Sequence, residues 1–277
     1  MTHEVVRTRA GAVAMRDVEV GEVMHPGVGP IAEAELLYVQ QSRLAERLAA
    51  SSLVLFDVGL GAGSNAVAAR RVAGAGRLTI VSFERDLGAL ALAVEHADDF
   101  GLDGDHLIAA RALLATGVHR DAHIDWQLRH GELLSLLATE PLRADIVFWD
   151  PFSPKANPSL WTIAAFAALR RVAGPRCTLY TYSASTATRV ALLLAGWAVG
   201  IGDPIGDKKE TTAAAIDAAD LARPLSRRWL TRLSVPKPVV PTDAPANVAA
   251  LVAALPQFTT DASSDSSTAS RPSALSD

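Results

Sequence analysis

From residue 53 to residue 182, short apolar runs of β-forming residues alternate with Ala/Leu-rich stretches of helical length, the pattern of a parallel sheet covered by helices. Strands are predicted at 53–58, 77–84, 146–149 and 177–182. Helices are predicted at 65–73, 86–99, 159–172 and 184–195, with Gly74, Gly174 and Gly196 close behind three of them as stop signals. The expected fold class is α/β, with a doubly wound sheet. Ahead of it, Val/Asp/Glu alternation over 13–23 predicts a small strand or hairpin, and a helix is expected at 31–49; this region caps the sheet rather than joining it. After Lys237 the chain becomes Pro-rich, passes a brief Ala/Leu segment at 246–255 and ends in Ser/Thr/Asp-rich sequence. Such a composition cannot offset its ordering entropy with buried apolar surface. The expected organisation is a cap at 1–50, a main domain at 51–240 and a low-complexity, disordered tail at 241–277. No internal repeat is present.

A glycine-rich run, Asp57-Val58-Gly59-Leu60-Gly61-Ala62-Gly63-Ser64-Asn65, follows a predicted strand and opens a predicted helix, the context in which such a run carries weight. Its glycines allow a tight turn and let a ligand approach bare backbone, while the N–H groups of the helix start favour an electron-rich group. The next strand ends at Glu84, and a carboxylate at that tip can accept both ribose hydroxyls of a nucleoside. Together they specify an adenosine-type cofactor. Two classes fit. Gly61, Gly63 and Ala66 match the dinucleotide pattern G-x-G-x-x-A, which implies NAD and hydride transfer. The pattern acid-x-G-x-G-x-G, here Asp57, Gly59, Gly61 and Gly63, resembles the first motif of class I S-adenosyl-L-methionine methyltransferases and uses every glycine. Glu132, in His130-Gly131-Glu132 at the end of another candidate strand, occupies the place where such enzymes set an acid near the adenine; a solvated residue at a helix start is the alternative.

The most specific segment runs Asp150-Pro151-Phe152-Ser153-Pro154-Lys155-Ala156-Asn157-Pro158-Ser159-Leu160-Trp161 behind the apolar strand that carries Phe148 and Trp149. The strand delivers Asp150 to the sheet edge, and three prolines stiffen the loop that follows, as the positioning of a reacting carboxylate requires. Capping of the next helix falls to Asn157 or Ser159. This loop resembles the signature D-G-F-A-P-A-K-N-P-x-M-W of the methyltransferase domain of the bifunctional MnmC-type tRNA proteins. Met24-His25-Pro26-Gly27-Val28-Gly29-Pro30 with Glu33 and Tyr38, and Tyr180-Thr181-Tyr182 through Trp197 to Asp207-Lys208-Lys209-Glu210, are similar to that family's opening and closing segments. The resemblance covers residues 13–210 in order.

It implies a seven-stranded class I methyltransferase sheet, S-adenosyl-L-methionine as methyl donor and an exocyclic amine as acceptor, that of a tRNA wobble uridine. By position it assigns Asp57, Gly59, Gly61, Gly63, Glu84 and Glu132 to the cofactor and Asp150 to the transferring methyl; Asn65 is a further candidate cofactor residue, and Phe152, Lys155, Asn157 and His25 are the candidate acceptor contacts. The family's Asp-Gly is Asp150-Pro151 here and its Ala-Lys-Asn is Lys155-Ala156-Asn157, changes beside the acceptor site that leave a small-molecule amine as the competing substrate. A non-catalytic interaction module on the same fold is the reading from another class. No fused flavin oxidoreductase half is expected.

Composition narrows the partners. With 49% hydrophobic and 20% charged residues the chain is globular, and 26 basic against 30 acidic residues give a net charge of -4. No global positive field draws it to nucleic acid, so such affinity has to be local. Arg223, Arg227, Arg228, Arg232 and Lys237 form a basic stretch with no acid between Asp220 and Asp243, a candidate docking patch for a tRNA anticodon arm. His119 and His123 lie four apart, a spacing open to a metal, but the segment reads as loop and no third ligand is evident, so no metal is expected. The lone Cys177 excludes internal disulfides, the start lacks a signal pattern, and no apolar run reaches the ~20 residues of a membrane helix, so a cytoplasmic location is expected.

Overall fold

Three short strands come first, β1 (His3–Arg7), β2 (Val13–Asp17) and β3 (Val23–Met24), paired antiparallel in that order. The computed structural model describes residues 2–8, 11–24, 29–206, 208–237 and 239–259. Helix α1 (Pro30–Ala34) opens on a proline, whose fixed φ suits a first helical turn, and continues as a π-helical turn at Glu35–Gln40. Arg43, left-handed at φ 53°, then breaks the helix expected at 31–49 before α2 (Leu44–Ala50) begins.

Eight strands form the main sheet: β4 (Leu53–Val58), β5 (Leu78–Glu84), β6 (Val118–Arg120), β7 (Ile124–His130), β8 (Ala144–Trp149), β9 (Ala173–Thr181), β10 (Ala198–Gly202) and β11 (Thr211–Ala215). Their order is β10-β11-β9-β8-β4-β5-β7-β6, with β4, β5, β7, β8 and β9 parallel. The expected count of seven is exceeded by β6, three residues paired antiparallel to β7 at the sheet edge, which takes in the His119 segment read as loop. Connecting helices are α3 (Ser64–Arg71), α4 (Gly88–Glu95), α5 (Gly104–Thr116), α6 (Leu133–Thr139), α7 (Ile163–Arg171) and α8 (Thr186–Leu194).

The central strands are apolar on both faces because helices cover both. Leu55, Ile80, Trp126 and Phe148 point into one core with α1 to α5, while Phe56, Val81, Val147 and Trp149 point into the other with α6 to α8. Phe148 and Trp149 are fully buried packing residues on opposite faces of the sheet. From β4 the chain winds outward through β5 and β7 on one side and, after returning, through β8 and β9 on the other. The carboxyl ends of β4 and β8 flank the switch point, where an open α/β sheet forms its ligand crevice.

Chain order extends beyond the boundary expected at 241. Helices α9 (Val248–Ala253) and α10 (Pro256–Thr259) bury Val248, Val252 and Phe258 in the second core. Gln257 pairs its side-chain amide with both backbone groups of Val199 on the edge strand β10. Asp243 accepts the N–H groups of Ile163 and Ala164 at 3.0 Å and shares the capping of α7 with Thr162, whose hydroxyl accepts from Ala165; this replaces the expected cap at Asn157 or Ser159. The Pro-rich composition hid these anchors because each is a single side chain reaching a distant element. The rest of the tail, 260–277, lies outside the described residues. Among the described residues no helix is long and apolar enough to cross a membrane.

Candidate active site

A cavity of about 450 Å³ opens at the carboxyl edge of the sheet, over the ends of β4, β5 and β8. The turn after β4 forms its floor. Gly59 and Gly61 hold φ of 87° and 51°, a region glycine enters without strain. A Cβ on Gly59 would lie 2.6 Å from the Asp150 carbonyl oxygen, so the two strand ends close up only over bare backbone. Gly63, also left-handed, caps α3 behind the cavity wall.

At the tip of β5, Glu84 lines the cavity with its carboxylate held by three backbone N–H groups, those of Gly61 (3.1 Å), Arg85 (2.7 Å) and Asp86 (3.1 Å). These bonds fix its orientation and leave about one of a carboxylate's four acceptor positions for a hydroxyl. Glu132 also lines the cavity, exposed at the start of α6, where it pairs with Arg85 at 3.6 Å without capping the helix.

Asp57 and Asn65 are not in the wall. Both are buried behind it. Asp57 Oδ2 accepts the Ser82 hydroxyl at 2.7 Å, and Ser82 Oγ accepts Trp126 Nε1–H at 2.9 Å. Burial pushes the Asp57 carboxyl up to about 7 against the stabilising Ser82 bond, and the charges of Asp150 and Glu84 add to the rise. Asn65, in the first turn of α3, donates Nδ2–H to Asp150 Oδ2 at 2.8 Å.

Asp150 stands in the wall at the end of β8, its N–H bonded to Val58 on β4. Burial raises the Tyr38 hydroxyl well above the ordinary tyrosine value, helped by the charge of Asp150 and a hydrogen bond to it. Tyr182 is raised by burial and then by Asp150 and Glu22, and its hydroxyl donates to the Pro151 carbonyl at 3.0 Å. Phe152 and Asn157 line the cavity as well, whereas Lys155 points to solvent outside it. The lysine that does reach the cavity is Lys208, its Nζ 4.6 Å from the centre of the Tyr182 ring. Its Nζ also donates to the Tyr182 carbonyl at 3.4 Å, and two residues on, Glu210 is held at 3.1 Å by buried Arg189, which donates to the Thr211 carbonyl as well. On the opposite side Glu22, from the β2–β3 turn, accepts the N–H and hydroxyl of Ser153 and ties the small sheet to the proline loop.

Glu22 and Lys208 are functional candidates that residue-by-residue reading of the sequence missed; Lys208 and both tyrosines stand in the segments that carried the family resemblance. His25 lies outside the described residues. Of the basic stretch, Arg223 pairs with Asp203, Arg232 with Glu210, and Arg227 donates to the Phe258 carbonyl; Arg228 and Lys237 have no ion pair among the described residues. His119 pairs with Asp121 at 3.6 Å beside a second cavity under the opposite edge of the sheet, and among the described residues no three His, Cys, Asp or Glu side chains gather to hold a metal.

Residues 110–217 match the model of a family described as S-adenosyl-L-methionine-dependent methyltransferase. That match covers about two fifths of the chain. The residues present suit that cofactor: bare glycine backbone closes the floor, and an oriented carboxylate stands at the tip of the second central strand. The chain is 28% identical over 242 residues to the tRNA 5-methylaminomethyl-2-thiouridine biosynthesis bifunctional protein MnmC of Burkholderia mallei, covering 80% of the chain and 36% of that protein. Against the Burkholderia thailandensis protein of the same name the identity is 30% over 194 residues, 64% of the chain and 30% of the relative. The chain thus spans about a third of the length of the curated relatives it matches. In fold it is similar to the crystal structure of MnmC2 from Aquifex aeolicus, with a TM-score of 0.68 at 23% identity over 90% of the chain and 83% of that structure.

Proposed function

We propose that this protein is an S-adenosyl-L-methionine-dependent methyltransferase that methylates an exocyclic primary amine, and that the acceptor is the 5-aminomethyl group of a tRNA wobble uridine. One observation carries the reading. Asp150 is a carboxylate pinned at 2.8 Å by Asn65 in the wall where the glycine floor meets a cavity end built of Glu22, Phe152, Tyr182 and Lys208. When bound, S-adenosyl-L-methionine supplies a methyl group on a positively charged sulfur, open to in-line attack by a neutral amine nitrogen. Gly59, Gly61 and Glu84 hold the cofactor, with Glu132 toward its base. Asp150 attracts the ammonium form of the acceptor and takes one N–H proton onto a carboxylate oxygen, which frees the nitrogen lone pair. Phe152 and Tyr182 give a flat base an apolar seat, while Asn157 and Lys208 offer donors to its carbonyl oxygens.

The tRNA acceptor draws support from the activity that the MnmC relatives are named for and from Arg228 and Lys237, cations free to meet phosphate. Such a substrate puts the site of action in the cytoplasm. The test is incubation with labelled S-adenosyl-L-methionine and bulk tRNA lacking the terminal methyl, followed by nucleoside analysis. Label is expected in 5-methylaminomethyl uridine and should fall at least ~100-fold in Asp150→Ala, the scale of a lost general base. Label confined to small amines would move the acceptor to a small molecule, and cofactor binding without turnover on any amine would make the chain a binding module.

A further inference from the structure

Beside Asp150, the acceptor end of the cavity is lined by Glu22, Asn157 and Lys208, and the bonds each makes within the protein decide what it has left to offer. Glu22, from the β2–β3 turn, accepts the Ser153 N–H on Oε2 at 3.1 Å and the Ser153 hydroxyl on Oε1. Each oxygen keeps one further acceptor position. Asn157 gives its Oδ1 to the Ser159 hydroxyl at 3.1 Å, which leaves its Nδ2–H donors for the cavity. Lys208 spends one N–H on the Tyr182 carbonyl at 3.4 Å, and an ammonium has two more and accepts nothing. Shared neighbours set the order in which the three stand. Ser153 joins Glu22 to Asn157, because its carbonyl accepts the Asn157 N–H at 2.8 Å. Tyr182 joins Glu22 to Lys208: after burial and Asp150, the charge of Glu22 raises its phenol, and its ring centre lies 4.6 Å from Lys208 Nζ. From Asn157 through Glu22 to Lys208 the wall offers donor, acceptor, donor.

We infer that Glu22 selects the base of the acceptor, taking the ring N3–H of a uracil whose two flanking oxygens fall to Asn157 and Lys208. The inference rests on the reading of the acceptor as an aminomethyl uridine and names the residue that tells this base from others. The pairing edge of uracil runs carbonyl, N3–H, carbonyl, the complement of the wall, and edges of this kind are what proteins read on unpaired bases. Cytosine presents an amino group, a bare N3 and a carbonyl. Its N3 lone pair would face the carboxylate and its amino group would face another donor, so the same wall that accepts uracil repels cytosine. An ionised carboxylate only accepts, and a half-buried one that loses a partner on binding is costly, which is how a polar site rejects an analogue lacking the hydrogen. The small N-terminal sheet thereby contributes specificity as well as cover.

Calorimetry on the protein saturated with S-adenosylhomocysteine compares 5-aminomethyluridine with its N3-methyl derivative and with 5-aminomethylcytidine, which carry the same amine and differ at the edge that Glu22 faces. The wild type is expected to bind the uridine form at least ~10-fold more tightly than either of the others. Glu22→Ala should shrink that ratio to within about threefold and leave S-adenosylhomocysteine affinity unchanged, which also shows that the variant is folded. Glu22→Gln keeps the shape and can turn an N–H to the base, so it should bind the cytidine form more tightly than the wild type does. Ser153→Ala loosens the tie to the proline loop but keeps the cavity-facing lone pairs of Glu22, and it should preserve the ratio; a merely structural Glu22 would lose it there too. A wild type that binds all three nucleosides alike overturns the inference, as does a ratio that survives Glu22→Ala or an equal loss for all three in that variant. Selective binding of the uridine form with no methyl transfer from S-adenosyl-L-methionine would instead strike the methylation reading and leave base selection standing.

Discussion

At the scale of single residues, the burial of Asp57 makes stability depend on pH in a defined direction. The carboxyl titrates near 7 when folded against 3.8 in an ordinary environment, so between these values the folded state keeps a proton that the unfolded state has released. Stability therefore falls as pH rises from about 4 to about 7 and is flat beyond, the reverse of a salt-bridged aspartate, and the full difference is of order 4 kcal/mol. Asp57→Asn removes the ionisation while keeping a Ser82 acceptor. The variant should gain on the wild type by a few kcal/mol between pH 5 and pH 8 in urea unfolding of the cofactor-free protein; an advantage equal at both pH values would contradict a raised Asp57. What the sequence reveals at this scale follows from chain proximity. Glu84 is legible because it ends the strand after the glycine run. Lys155 and Lys208 are not separable by type or local pattern, since only the fold turns the first to solvent and lays the second over Tyr182.

Among the elements, the turn between β4 and α3 concentrates the constraint. A methyl group on Gly59 would meet the Asp150 carbonyl oxygen at 2.6 Å and the Pro151 Cα at 3.1 Å, all backbone, at a φ of 87°. Neither strand end can yield without opening the crevice. Among the described residues Gly61 faces the Met24 sulfur at 3.2 Å, a flexible neighbour that can move aside. Gly59→Ala is expected to weaken S-adenosylhomocysteine binding more than tenfold by calorimetry and to lower Tm, with about 1–3 kcal/mol of backbone strain as the minimum cost. Gly104→Ala, also at a positive φ (46°) but with nothing within 4 Å of the added Cβ among the described residues, serves as the control that loses stability without losing the ligand. Equal binding in the two variants would refute the close-approach argument. Strands β4, β5 and β8 are readable from the chain because both their faces are buried, which leaves unbroken apolar runs. β10 and β11 are not: AVGIG and TTAAA have weak strand preference and become strands by pairing with each other and with β9. Glu22 escapes for a related reason, since it joins the site by a contact with Ser153 across 131 residues of sequence.

Over the whole molecule the question is how a protein of net charge -4 would receive a polyanion. The five cations of the 223–237 stretch do not act as five. Arg223 and Arg232 are matched to Asp203 and Glu210, and Arg227 is turned onto a carbonyl, which leaves Arg228 and Lys237 exposed and without an ion pair among the described residues. Asp203 and Glu210 follow β10 and precede β11 at the edge of the sheet that carries the cavity, so their arginines stand on that same edge. A tRNA arm seated there would draw on few phosphate contacts, and its affinity should fall with salt by a modest slope rather than the slope of about ten seen for large duplex-binding proteins. Arg228→Glu with Lys237→Glu is expected to raise the Kd for tRNA at least tenfold at low salt and to flatten the logarithmic salt slope by roughly 0.7–0.9 for each phosphate no longer neutralised. The same double variant should leave S-adenosylhomocysteine affinity and turnover of a small amine unchanged, because neither residue lines the cavity. A wild-type affinity that stays level between ~50 and ~200 mM salt would count against phosphate contacts altogether and return the acceptor to a small amine. A steep wild-type slope untouched by the two substitutions would keep tRNA as partner but move its docking surface off this stretch.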